Sequence, residues 1–361
     1  MKFTTTKQDF LNVLQKVYTV ATSKTMAILS TVLLETKDNK LKVSGTDLDL
    51  SIVSEISAEV KEDGSLAVPA KRLVDIIKSL PDGDINIAST KNNSLTIATA
   101  TYNARIGSLP AEDFPKLPTF ESEVSIKLKQ SELAKLFDLT LFSVSKDETR
   151  YIMVGVLFEI KDKALTLVST DGKRVAIIKH ELQEAVKEET TIILSSKAAT
   201  EIRKNLNSDD EVELTFGKNQ MLCSFKNMSI MSRLIEGEFP NWKQVLPEVS
   251  NNKVCIKRDL FLSAAIRASL LVTENYQALK MAVFKDKIII SKETPDIGES
   301  KEEVVASYSG VDTAIGFKPE YLIDVLKAMN DENIELELTD VEKPGVIRSG
   351  NYIHILLPMR I

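Results

Sequence analysis

The sequence holds few side chains of the kind that do chemistry. Its two histidines, His180 and His354, and two cysteines, Cys223 and Cys255, fall at no spacing that would build a metal site. There is no glycine loop to cradle a phosphate and no Gly-x-Ser-x-Gly turn around a nucleophile. Two aspartates recur in matched settings, Val43-Ser-Gly-Thr-Asp47 and Val168-Ser-Thr-Asp171. A catalytic carboxylate pair needs two different environments to separate its pKa values, so recurrence in equivalent turns argues for structure. The expectation is a protein that is not an enzyme, with no catalytic residue, metal or cofactor. The cysteines read as buried thiols of a reducing compartment.

What does recur is positive charge. The segments 7 to 24, 71 to 80, 197 to 206 and 257 to 270 read as helices and each carries a surplus of about two positive charges, while 130 to 146 and 318 to 330 are near neutral. The helices thus hold about +8 in a chain of formal net charge -6, leaving the strands and loops near -14. Helices that faced one way would present a basic surface suited to a polyanion held by its phosphates. Lysine and arginine are also ordinary helix formers on solvated faces, so charge alone leaves both readings open.

Three copies of one unit position these helices. The middle copy is Lys197-Ala-Ala-Thr-Glu-Ile-Arg-Lys-Asn-Leu206, with Ala198, Ala199, Ile202 and Leu206 on one face, followed by the alternating Val212, Leu214 and Phe216 of a strand. The same helix and strand stand at 71 to 88 and at 321 to 338. Asp75, Glu201 and Asp324 align, as do Lys78, Lys204 and Lys327, and Leu80, Leu206 and Met329. The register gives a repeat of roughly 125 residues, the size of one domain. The predicted boundaries are 1–121, 122–249 and 250–361.

Each repeat opens with a strand and a helix, the first helices carrying Phe10, Leu14 and Val17; Leu133, Leu136 and Phe137; and Leu260, Ala264 and Ile266. Several alternating strands follow, giving an α+β fold in three tandem copies of a two-helix plus antiparallel-sheet domain. Leu109 to Pro115, with Pro118 after it, reads as an extended linker. Thr170-Asp-Gly-Lys-Arg174 reads as a hairpin turn, and Leu356-Leu-Pro-Met359 as a last edge strand limited by Pro358. No secretory leader and no membrane span is expected, which points to the cytoplasm.

In this order, Met1-Lys-Phe-Thr, Val68-Pro-Ala, Leu109-Pro with Asp113-Phe-Pro115, Thr170-Asp-Gly-Lys-Arg174, Phe239-Pro with Val245-Leu-Pro247, Ile315-Gly-Phe317 and Leu357-Pro-Met-Arg360 make a sequence that resembles the bacterial sliding clamps, the β subunits of DNA polymerase III. The resemblance implies a head-to-tail homodimer closing into a ring around duplex DNA, helices inside. It implies a processivity factor for DNA replication that tethers the replicative polymerase and meets the clamp loader and repair factors through short peptides. A peptide-binding scaffold that never encircles DNA is the alternative, and a carboxylate-dependent nuclease a third class.

Carried over residue by residue, the resemblance places a partner-peptide groove at Met153, Thr170, Gly172, Lys173, Arg174, Val175, Pro240, Val245, Tyr321, Val346, Ile355, Leu356, Leu357, Pro358, Met359, Arg360 and Ile361. Arg174 and Arg360 are expected to bond peptide carbonyls at its rim, with flexible Met153 and Met359 adapting to several partners. Gln244 and Lys318 depart from the family pattern and shift the expected peptide preference. Lys16, Lys24, Arg72, Lys78, Lys146, Arg203, Lys204 and Arg267 are expected to face DNA. Arg105 and Ile106, with Leu270 and Leu271 on the first helix of the third repeat, are expected at the dimer interface, where Glu299, Glu302 and Glu303 would offer an acidic loop.

Overall fold

The computed structural model describes residues 1–361 apart from Lys24, Lys91, Pro118, Thr119, Glu121 and Ser122. The expectations for Lys24 and Pro118 therefore lie outside the described residues. Six α-helices are present among those described: α1 (Lys7–Tyr18), α2 (Ala70–Ser79), α3 (Gln130–Asp138), α4 (Ser196–Asn205), α5 (Arg258–Ser269) and α6 (Pro319–Ala328). Helix α1 starts where Thr6 caps it, the Thr6 Oγ1 accepting from the Asp9 amide at 3.1 Å and donating to the Asp9 carboxylate at 2.7 Å. Its Phe10, Val13, Leu14 and Val17 are buried, each worth about 1.5–3 kcal/mol of transfer free energy. Ser195 caps α4 in the same way, and α6 begins with Pro319 in the first turn, where no amide is missed.

The threefold repeat is a repeat of topology. In every copy a strand and a helix are followed by four strands (five in the first copy), a helix and three strands. In every copy the opening strand pairs antiparallel with the strand after the second helix, as Phe3 with Ile87, Ile126 with Leu214, and Val254 with Leu336. The family-level expectation of an α+β fold in three tandem copies holds.

By its internal contacts the chain divides into two compact units. The first comprises Met1–Gln130 and Asn207–Leu234. It holds a five-stranded sheet ending on Asn103–Gly107, and an eight-stranded sheet in which Met228–Arg233 pairs with Leu50–Ser57. The second comprises Ser131–Leu206 and Ile235–Ile361 and holds one twelve-stranded sheet. There Arg174–Glu181 pairs with Tyr352–Leu356, so strands of the second and third repeats share that sheet. The units cut across the middle repeat because the eight-stranded sheet joins strands of the first and second repeats and the twelve-stranded sheet joins strands of the second and third.

Several expectations change. Tyr352–Leu356 is paired on both sides, with Arg174–Glu181 and Gly345–Ser349, so it is no edge strand; the chain leaves the sheet only after Leu356. Leu109 pairs with Ala67 and a short turn covers Ala111–Asp113, so this stretch is docked and only partly extended. In α5 the buried residues are Phe261, Ala264, Ala265 and Ala268, whereas Leu260 and Ile266 are exposed. Alanines let that helix approach its neighbours closely, and the larger apolar side chains are left on the outside. Cys223 is buried as expected, and desolvation pushes its thiol above the ordinary range. Cys255 is half-buried.

Candidate partner groove, basic helices and strand edges

The turn from Thr170 to Arg174 is built by its own side chains. Thr170 Oγ1 accepts from the Gly172 amide at 3.0 Å and donates to the Arg174 carbonyl at 2.7 Å, while Asp171 Oδ1 accepts from the amides of Lys173 and Arg174 at 2.9 and 3.1 Å. Gly172 supplies the positive φ of 86°. Repeat one uses the same lattice: Thr46 Oγ1 accepts from Leu48 and donates to Leu50, and Asp47 Oδ1 accepts from Asp49 and Leu50. Leu48 stands there at φ 83° in place of the glycine. Both aspartates thus spend Oδ1 on backbone amides, the structural use that their recurrence indicated.

The repeats then diverge at one position. Where repeat one buries Leu50, repeat two buries Arg174, at 2% and 5% exposure. A guanidinium in that place demands partners. Nε meets Asp171 at 3.0 Å, Nη1 meets Asp324 on α6 at 2.7 Å, and Nη2 donates to the Phe142 carbonyl. Its plane lies 4.5 Å from the Tyr321 ring centroid and 5.6 Å from that of Phe142. Arg174 is therefore a buried strut and not the rim donor expected from the sequence. Lys318 lies 5.3 Å from the same Tyr321 ring and pairs with Glu320 at 2.8 Å, which holds the lysine above its usual range. Burial raises the Tyr321 phenol, which keeps it protonated.

Beneath the turn lies an apolar cluster of Leu157, Val168, Ile177, Ile193, Trp242, Val346 and Ile355, with Val175, Phe239 and Leu246 packed against it. Val346 and Ile355 are buried, so they shape a floor without reaching solvent, and Leu356 is buried beside Arg174 in the strand register. Pro240 and Val245 are exposed on the segment that carries Phe239 and Trp242. Met153 Sδ would lie 4.0 Å from a side chain placed at Gly172. The tail closes the arrangement. The Leu357 amide donates to Lys173 O at 3.0 Å and the Met359 amide to Gly316 O at 2.8 Å. Lys173, Leu357, Arg360 and Ile361 are exposed, and Pro358 and Met359 half-buried. Of the residues expected at the groove, Met153 thus lies near Gly172, Tyr321 near Arg174 and Leu357 near Lys173, with Val175, Val346 and Ile355 in one apolar cluster. Phe142, Asp324 and Gly316 were missed there, although Asp324 had already stood out as a residue recurring in all three copies.

The basic residues divide. Lys16, Arg72, Lys78 and Lys146 are exposed. Arg203 is held by Asp138 through two bonds of 2.7 and 2.8 Å, Lys204 by Glu201 at 2.6 Å, and Arg267 by Glu302 at 2.7 and 2.5 Å. For these three, expected to face DNA, a carboxylate of the same chain already offsets the charge.

The interface residues divide too. Ile106 is buried at 4% exposure opposite Leu95 and belongs to its own core, while Arg105 beside it is exposed. Leu270 and Leu271 lie just past the end of α5 and not within it, Leu270 at 76% exposure. Glu299, Glu302 and Glu303 lie on the strand Gly298–Tyr308, not in a loop, and Glu303 is paired with Lys287 at 2.9 Å. Val305 on the same strand is 77% exposed.

Comparison with known proteins decides the family. A model of the DNA polymerase III beta subunit N-terminal domain matches residues 1–118, the central-domain model 127–241 and the C-terminal-domain model 243–360. The chain belongs to the bacterial β sliding clamp family. The beta sliding clamp of Rickettsia felis is 33% identical to it over 346 residues, 91% of each chain, and that of Escherichia coli K12 is 29% identical over an alignment of 367 positions that covers 100% of each chain. Among solved structures, the sliding clamp of Pseudomonas aeruginosa with ligand superimposes with a TM-score of 0.95 at 29% identity over all of both chains. The Bacillus subtilis sliding clamp gives 0.96 at 28%, over 100% of this chain and 99% of that one. The three clamp-family matches fall in step with the three topological repeats. None of the helices in the described residues is long and apolar enough to cross a membrane.

Proposed function

We infer that this chain is a DNA sliding clamp, a processivity factor that encircles duplex DNA and tethers the replicative polymerase. The observation that carries the reading is the threefold repeat of topology, in step with clamp-family matches along nearly the whole chain. Three domains, bounded at 1–121, 122–249 and 250–361, make one protomer, and two protomers close head to tail. The strand Asn103–Gly107 ends its sheet, and Gly298–Val305 is paired on one side only among the described residues, so each offers an edge to the other protomer. Arg105, Leu270 and Val305 are the side chains placed to meet there.

Lys16, Arg72, Lys78 and Lys146 are the cations left to meet phosphates, with Arg203, Lys204 and Arg267 contributing less. Weak, sequence-independent contact on a net-acidic chain suits sliding, since topology and not affinity retains the DNA. The apolar floor, the Thr170–Arg174 turn, Tyr321 and the tail form the site for short peptides of polymerase, clamp loader and repair factors. The protein works in the cytoplasm and catalyses no reaction, Asp47 and Asp171 being turn residues.

The deciding experiment loads the protein onto nicked circular plasmid with a clamp loader and ATP, then filters the product through a gel. Retention on the circle, lost when the plasmid is cut to a linear form, is expected. Binding of a Gln-Leu-x-Leu-Phe peptide without retention would leave only a peptide-binding scaffold. Divalent-metal-dependent cleavage of DNA, abolished by Asp171→Asn, would overturn the non-enzymatic part.

A further inference from the structure

One end of the third repeat carries a concavity of about 520 Å³ that the peptide groove does not include. It lies among three chain segments tied together by backbone contacts: Ser309 Oγ donates to Asn251 O, and the Leu338 amide to Asn252 O, each at 3.0 Å. Its lining includes two carboxylates, Asp312 and Asp340, and neither lysine nor arginine. Two valines flank them, Val311 at 85% and Val341 at 47% exposure. Loop tips are ordinarily polar, so paired exposed valines beside a concavity mark a surface that gains by being covered.

Tyr308 lines the concavity, is 8% exposed, and its hydroxyl has no hydrogen-bond partner among the described residues. That hydroxyl lies against Gly310, where any side chain would collide with it, so the glycine keeps it open to the concavity. Burial, and then the Asp312 carboxylate, push the phenol above its ordinary range, so it stays protonated.

We propose that this concavity is a docking subsite for an arginine side chain presented by a protein partner, its stem lying on Val311 and Val341 and its guanidinium meeting Asp312, Asp340 and the Tyr308 hydroxyl. The charge decides the class of partner: two carboxylates without a cation repel phosphate, which excludes nucleic acid and anionic lipid. The planar, multiply donating head and apolar stem of arginine match both halves of the lining, where a small cation would leave the valines uncovered. The subsite is separate from the peptide groove and gives a partner held there a second point of attachment.

The test uses the full chain, methyl-labelled at valine, titrated with the peptide Ac-Leu-Arg-Leu-NH2 and, in parallel, Ac-Leu-Gln-Leu-NH2. Saturable shifts at Val311 and Val341 are expected with the arginine peptide, with affinity about tenfold above the glutamine peptide. The double variant Asp312→Asn, Asp340→Asn should lose that difference while binding a Gln-Leu-x-Leu-Phe groove peptide as the parent does, which also shows that it is folded. Equal response to both peptides, no response at the two valines, or undiminished arginine preference in the double variant would each overturn the proposal.

Discussion

Arg174 Nη1 and the Asp324 carboxylate meet at 2.7 Å, joining the hairpin turn of the second repeat to the last helix of the third. The same turn in the first repeat ends on Leu50, buried without any such bond. Equivalent positions of two repeats thus hold a core residue in one and a cross-brace in the other, and the candidate groove lies around the brace.

Removing the brace on the helix side leaves a buried guanidinium with Asp171 and one carbonyl. Asp324→Ala is expected to cost about 1–2 kcal/mol in urea unfolding, a modest figure because the Asp324 side chain is 37% exposed. Groove-peptide affinity should fall about tenfold, with Asp324→Glu recovering part of it. An unchanged affinity in fluorescence polarisation would remove Arg174 from any role in shaping the site.

The tail is held at Gly316, where a side chain would collide with the Met359 carbonyl. Gly316→Val should displace residues 357 to 361 and lower groove-peptide affinity by at least about tenfold while circular dichroism stays that of the parent. Full peptide affinity in the variant would show that the tail contributes nothing to the site.

His354 is fully buried, with neither ring nitrogen bonded, between Phe142 at 5.4 Å and Tyr352 at 6.2 Å. Burial first, and the nearby Arg174 second, lower its pKa to about 3. The folded protein therefore keeps this imidazole neutral while the unfolded chain takes up a proton near pH 6.5. Its contribution to stability is complete above pH 6.5 and declines by up to about 1.4 kcal/mol per pH unit as the pH falls toward 3. In an NMR titration from pH 8 to 5 the His354 ring should show no midpoint; a midpoint inside that window would refute its burial.

Leu270, at 76% exposure, has little to do in the fold of one chain. Leu270→Asp should leave the melting of the protomer nearly unchanged while weakening the dimer at least a hundredfold, read by analytical ultracentrifugation. A dimer of parental affinity would place the interface elsewhere.

Much of the fold was legible because its signal is periodic and repeated. Alternation gave the strand that follows each second helix, and the aligned Asp75, Glu201 and Asp324 gave the register. Helix α5 was misread for a physical reason. Phe261, Ala264 and Ala268 form one apolar stripe, Leu260 and Ile266 lie off it, and spacing cannot say which stripe faces the chain's own core. Resemblance alone nominated the residues of the expected groove, and the burial of Arg174, Val346 and Ile355 among them was not legible, since it depends on partners distant in sequence. Arg174 seemed a surface cation until Asp324, 150 positions away, was beside it. Likewise Arg203 and Arg267 looked like free charges because Asp138 and Glu302 lie 65 and 35 positions from them.

The pairing of Arg174–Glu181 with Tyr352–Leu356 has a mechanical consequence. Force that slid these strands along their length would have to shear the whole ladder at once, whereas an edge joined to another chain can unzip one bond at a time. A ring of such chains would thus open with least work at the seam between protomers, with the shared sheet of the second and third repeats serving as the stiff arm that carries the load.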